Sequence, residues 1–161
     1  MNKRTIFAIA AAALLVCACS SGKPGATQTS SLPGHGAISL SIVPNPVVAQ
    51  KVSGNTYDFP FDVIVRETGG HPVTIDRVTA DMYSSLGGIK VGSESYDAAK
   101  IQSLGYSTSV PANGELRYHF SPRKTVQDER LFGGVYGDVR ADATDDTGTP
   151  TSATVRITVT R

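Results

Sequence analysis

The amino-acid sequence predicts an all-β domain, an antiparallel sandwich of about seven strands. From residue 37 onward, short runs of alternating apolar and polar residues recur between turn signals. Gly 16 and Pro 9 among 161 residues supply the punctuation that many tight connections need, below the level of a low-complexity chain. At most one short helix interrupts the pattern, and no internal repeat of solenoid length is visible.

The elements follow in order. Ala37 to Val43 alternates and stops at Pro44-Asn45-Pro46. Tyr57 to Val65 puts Tyr57, Phe59, Phe61, Val63 and Val65 on one face; Pro60 lacks a backbone N–H, which places that part of the strand at an edge. Gly69-Gly70-His71-Pro72 is a turn. In Val73 to Tyr83 the alternation changes phase between Ile75 and Val78, the mark of a bulge. Gly87 to Val91 is a short strand, and Asp97 to Leu104 gives one or two helical turns stopped by Gly105. Glu115 to Phe120 turns Leu116, Tyr118 and Phe120 inward. Residues 121–130, with Pro122 and a mixed charge run, form a loop. Val135 to Ala143 directs Val139, Ala141 and Ala143 to one face, Asp145 to Gly148 is a turn, and Ala153 to Thr160 closes the series with Val155, Ile157 and Val159 inward. Two packed antiparallel sheets are the arrangement such a series supports.

The N-terminal segment differs in kind. Lys3 and Arg4 precede an apolar run from Ile6 to Cys17, the charged and apolar regions of a signal peptide. A membrane-spanning helix needs about 20 apolar residues, so this run is too short for one. It ends Leu14-Leu15-Val16-Cys17-Ala18-Cys19-Ser20. This resembles the lipobox of bacterial lipoproteins, with Val16 three residues before Cys19 and the small Ala18 directly before it. The resemblance implies a signal peptide over 1–18, cleavage before Cys19 and acylation of its thiol, the covalent lipid standing in for any other cofactor. Ser20 in place of Asp implies the outer membrane in a cell that has one. Two or more acyl chains hold a protein stably on a bilayer, where one does so only marginally. Both cysteines lie in this segment, so the mature domain has no thiol and its stability must come from its core. Losing Lys3 and Arg4 takes the formal net charge from +1 to −1, too balanced to grip nucleic acid. Residues 20–36, almost wholly Ser, Thr, Gly, Pro and Ala, bury too little apolar surface to hold a structure. They read as a disordered tether with an r.m.s. span of roughly 20–25 Å. The organisation is thus 1–18 signal helix, 19–36 lipidated cysteine and linker, 37–161 sandwich.

Ile38 to Val47, the run from Val63 through Gly70 to Ile75, and the closing hairpin of Val139 to Gly148 with Ala153 to Val159 resemble immunoglobulin-like domains of bacterial secreted proteins. The resemblance covers most of 37–161. It implies an immunoglobulin-like topology and a role among spacers, adhesion modules and carbohydrate or protein binders. Many such domains carry a core-facing Tyr near the start of the sixth strand. Here that phase falls on Gly137 and Tyr136 sits one residue off, so either a bulge restores Tyr136 to the core or the corner is absent.

Chemistry is sparse. His35, His71 and His119 show no metal-ligand spacing. Gly105 to Ser109 lacks the last Gly of a nucleophile elbow, and Gly133 to Gly137 lacks the ending of a phosphate loop. No nucleophile–base pair can be named, and the sequence argues for no enzyme. Asp142, Asp145 and Asp146 surround one turn and are candidate Ca²⁺ ligands; the alternative is Asp bonding its own turn backbone. Arg123, Lys124, Asp128, Glu129 and Arg130, flanked by Phe120, Leu131 and Phe132, are the candidate binding loop. The sandwich edge from Asp58 to Asp62 is a second candidate. The resulting expectation is a non-catalytic cell-envelope lipoprotein whose immunoglobulin-like domain is an interaction or structural module. It would hold the membrane through its lipid and meet an envelope protein or glycan. The alternative is a surface lipoprotein that binds Ca²⁺ or glycan through sandwich-end loops.

Overall fold

A computed structural model describes Gly25 and residues 27–161. The signal peptide, Cys17, Cys19 and Ser20 lie outside the described residues. The elements are β1 (Thr27–Ser30), β2 (Ile38–Val43), β3 (Val47–Val48), β4 (Gln50–Ser53), β5 (Thr56–Asp58), β6 (Phe61–Glu67), β7 (Val73–Ser84), β8 (Lys90–Asp97), α1 (Ala98–Ser103), β9 (Ser109–Val110), β10 (Glu115–Phe120), β11 (Arg123–Thr125), a 3-10 turn (Glu129–Gly133), β12 (Val135–Asp145) and β13 (Pro150–Thr160). The chain is mostly β, and its sheets are antiparallel except where β3 runs parallel to β13. The largest sheet has the order β1-β13-β12-β7-β8, with β3 beside β13 and β9 beside β7; the others run β10-β6-β2 and β11-β5-β4.

The alternation that predicts the strands also builds the core. Ile38, Leu40 and Ile42 of β2 and Val63 and Val65 of β6 are buried against Val73, Ile75 and Val78 of β7, Val139, Ala141 and Ala143 of β12, and Ala153, Val155 and Ile157 of β13. Each large aliphatic side chain so buried contributes about 1.5–3 kcal/mol. The bulge is present: Asp142 pairs with Arg77 and the next residue, Ala143, with Ile75, so Asp76 is the extra residue. The short helix is present too. Asp97 caps α1 by accepting from Lys100 N at 2.8 Å, and Gly105 leaves it at φ 85°.

Four expectations need correction. The sheet begins at Thr27, inside the stretch expected as tether. β1 is exposed throughout, so it is not held by apolar burial. It pairs through its backbone with β13, and the Thr27 and Thr29 hydroxyls bond the carbonyls of Leu40 and Ile38. Polar composition therefore did not prevent order, because hydroxyls on an edge can satisfy the neighbouring strand. Second, the 57–65 strand divides at Phe59-Pro60: β5 joins β11 and β4, while β6 becomes the centre of its sheet, not an edge. Pro60 cannot donate to a ladder, and the chain changes sheets there. Third, residues 121–130 are not simply a loop, since Arg123–Thr125 pair with β5. Fourth, the strand expected over 87–91 lies later, at Lys90–Asp97, following a Gly87-Gly88 turn of positive φ.

Tyr136 is on the outer face. It stacks on Tyr83 with ring centroids 5.3 Å apart, and the Arg156 guanidinium lies 4.4 Å from its ring centroid. Gly137 keeps the core phase, where a Cβ would come within 2.8 Å of Met82 Sδ. No bulge returns the tyrosine to the core, so the tyrosine corner is absent.

One end of the assembly is fastened by a buried carboxylate. Glu67 is 1% exposed and accepts four backbone N–H bonds: Ala37 at 3.2 Å and Gly69 at 2.5 Å on one oxygen, Gly70 at 3.0 Å and Asn113 at 2.8 Å on the other. Burial would raise its pKa, but these four donors hold it below the usual carboxylate range.

Candidate functional site

The largest sheet is five strands wide along its main path, and the sheet facing it has three. Small residues, Ala141, Ala143 and Ala153, sit between the sheets at the closed end. At the other end β5 leaves for the third sheet, and a cleft of about 950 Å³ remains. Val78, Ala80 and Met82 of β7, with Val139 and Ile157, form one wall; Phe61, Val63 and Phe120 form the other. Phe59, Val126 and Phe132 close the end nearest the third sheet. Phe59, Phe61, Ala80, Met82 and Phe120 are only half-buried despite pointing inward, because their outer surfaces face the cleft. Aromatic pairs stiffen the walls: Tyr57–Phe132 at 4.9 Å between centroids, Phe61–Phe120 at 5.8 Å and Tyr96–Phe120 at 5.2 Å.

Polar groups gather where the cleft opens, on β8, α1 and β11. Val91 and Leu104 line this side and are 59% and 52% exposed. Lys124 Nζ bonds Glu94, whose other oxygen accepts from Tyr96 OH at 3.0 Å. The Lys124 ammonium holds the Glu94 carboxyl below its ordinary pKa, and burial pushes the Tyr96 phenol up. Lys100 Nζ lies 4.2 Å from the Tyr96 ring centroid. Among the described residues no buried side-chain nitrogen or oxygen lacks a hydrogen-bond partner. The inner walls of the cleft, Phe61, Val63, Val78, Ala80, Met82 and Phe120, are apolar.

The residues expected as a binding loop are partly brought here. Lys124 stands at the mouth with Thr125, Val126 and Gln127 behind it. Arg123 points elsewhere and grips Asp58 with two bonds of 2.7 and 2.9 Å. Glu129 meets Tyr57 OH, Lys51 and Arg161 and ties β4, β5 and the C-terminal residue together. Asp128 is half-buried and not part of the cleft lining, and the Arg130 side chain lies outside the described residues. The second candidate edge contributes Phe59 and Phe61 to the walls. Asp62 instead bonds Arg117 and His119, both at 2.8 Å, on the outer face.

The three aspartates do not converge. Asp142 bonds its neighbour Arg140 at 2.8 Å, and Asp146 faces His71 at 3.4 Å. Asp145 is buried: one oxygen accepts from Thr147 N, Thr147 Oγ1 and Thr149 N, the other from Gly36 N at 3.0 Å, with His35 Nδ1 at 3.3 Å. Burial would raise its pKa, but the Thr147 hydroxyl and these N–H groups hold it well below the carboxylate range. Its oxygens are occupied by the protein. Among the described residues no group of three or more His, Cys, Asp or Glu is placed to hold a metal.

Sequence reasoning missed Met82, Tyr96 and Lys100 as site residues. The available signal was the set of aromatic residues Phe59, Phe61 and Phe120, with Tyr96 and Tyr106 between them in the chain.

No family model and no curated protein matches the chain. Solved structures do resemble it. A Northeast Structural Genomics Consortium target, SoR45, has a TM-score of 0.51 at 10% identity, over 80% of this chain and 90% of that one. A candidate ApaA protein from Bordetella pertussis has 0.47 at 16%, over 86% and 98%. The C-terminal domain of wzt has 0.43 at 14%, over 86% and 83%. At such identities the likeness to the first bears on fold alone, as a β-rich domain.

Proposed function

We propose that this chain is a non-catalytic cell-envelope lipoprotein, anchored through acylated Cys19, whose immunoglobulin-like β-sandwich binds a lipophilic ligand between its sheets. The anchor rests on Lys3, Arg4, the apolar run and Val16 to Cys19, and Ser20 favours the outer membrane. The ligand rests on the cleft. At about 24 cal/mol per Å³, an empty enclosed space of 950 Å³ would cost about 20 kcal/mol, more than the roughly 5–15 kcal/mol that hold a domain together. The space is instead built open on one side, with aromatic walls and satisfied polar groups, as a ligand pocket is. A methylene takes about the volume of a liquid water, ~30 Å³, so the cleft accommodates one or two acyl chains of ordinary length.

The test uses the full chain carrying Cys19→Ala, which bears no acyl group of its own. Phenylnaphthylamine, a neutral fluorophore, should brighten on binding and be displaced by long-chain lipids. Ala80→Phe places a ring in the cleft and should weaken binding at least tenfold with the melting temperature nearly kept. An unchanged affinity in a folded Ala80→Phe variant would refute the cleft as the site.

A further inference from the structure

We infer that the ligand is an amphiphile with an anionic head, a carboxylate or a phosphate, and that Lys100 receives that head; this rests on the lipophile reading of the cleft and deepens it. The lysines and the one carboxylate of the lining, Lys100, Lys124 and Glu94, stand together around Tyr96, while its other polar side chains, such as Ser93, His119 and Gln127, are neutral or imidazole groups. Glu94 is already satisfied, by Lys124 on one oxygen and by Tyr96 OH on the other. Its charge cancels that of Lys124. Lys100 is left over: among the described residues it makes no ion pair, and its ammonium rests against the Tyr96 ring, 4.2 Å from the centroid.

Two lysines around one carboxylate leave the mouth one net positive charge; the Lys100 charge also acts on Glu94, but among the described residues its ammonium makes no hydrogen bond to a protein acceptor. The stem of Lys100 lies along the cleft, next to the exposed Leu104. A cationic head would meet two lysines here. A neutral head would gain at most an ordinary hydrogen bond. An anionic head gains a charge-assisted one, at the place where an acyl chain lying between Phe61, Phe120 and Met82 would emerge.

The experiment displaces phenylnaphthylamine from the full Cys19→Ala chain with three ligands of equal chain length: palmitate, hexadecyl phosphate and hexadecanol. The anions should displace it at concentrations roughly tenfold or more below the alcohol, as expected for a hydrogen bond to a charged group. The tighter of the two anions identifies the head. Lys100→Met should abolish that preference and leave hexadecanol unchanged. Equal displacement by all three, or a preference that survives Lys100→Met, overturns the head assignment while the cleft still binds chains. Failure of all three to displace the fluorophore overturns the cleft reading and this inference with it.

Discussion

Replacing Glu67 by Gln tests what fastens the closed end of the domain. The wild-type carboxylate accepts four backbone N–H bonds, two on each oxygen, with lengths from 2.5 to 3.2 Å. In Gln one oxygen becomes an amide that can only donate. Whichever way it turns, it faces two N–H groups, either Ala37 and Gly69 or Gly70 and Asn113. Two bonds to a charged acceptor are lost, each contributing about 1.5–3 kcal/mol. The expected loss is therefore about 3–6 kcal/mol, a large part of a typical stability. For a domain of this size that is a fall in melting temperature of about 10 °C or more. Thermal unfolding at neutral pH measures it. A pH series adds a second arm. The carboxyl is held below its ordinary pKa, so its contribution is complete above about pH 4.3, the unfolded value, and fades as pH falls through the lower folded value. The gap between wild type and Glu67→Gln should close in acid. A shift under about 3 °C, or a gap that stays constant with pH, would refute the account.

Further variants test the proposed anchor, the buried aspartate and the packing beside the cleft. Cys19→Ala should abolish metabolic labelling by fatty acid, whereas labelling that persists with Cys19 gone and vanishes with Cys17 gone would move the anchor. Asp145→Asn should lower the melting temperature, with the difference shrinking as pH falls, since the native carboxyl is depressed; millimolar Ca²⁺ should leave wild-type melting unchanged, because the Asp145 oxygens already hold protein donors. Gly137→Val should cost about 1–3 kcal/mol by overpacking, since its Cβ would lie 2.8 Å from Met82 Sδ and 3.0 Å from Ile157 Cγ1. Met82 lines the cleft, so its displacement into that space should weaken fluorophore binding in the same variant.

The sequence reads well where burial makes the pattern. Leu116, Tyr118 and Phe120 alternate because one face of β10 is inside. The phase change between Ile75 and Val78 is visible because a bulge must move side chains to the other face. It reads poorly where pairing works without burial, as in β1 and β4, which are exposed at every residue. The cleft was illegible for another reason. Phe61 and Ala80 follow the same inward period as Val63 and Val78. Whether an inward side chain meets a partner or an opening depends on how wide the facing sheet is and where the chain leaves it at Pro60. Neither is a local property. Lys124 fell within the charged segment singled out for binding, yet its role was hidden, since only the fold sets it beside Glu94.

The early start of the sheet sets a leash. Gly25 already donates to Arg156 O at 2.9 Å. From Cys19 to Gly25 an extended chain reaches at most about 20 Å, where a tether running to residue 36 would reach nearly three times as far. The attachment is at β1, one border of the large sheet, and the cleft opens by β8 at the opposite border. Four interstrand steps separate them, about 19 Å. With the proposed acyl anchor at Cys19, reach and sheet width are matched. The domain can tip until its opening meets the very bilayer that holds it, but it cannot carry that opening far into the space beyond. A bound lipid would be exchanged with the home membrane or with something that comes close to it.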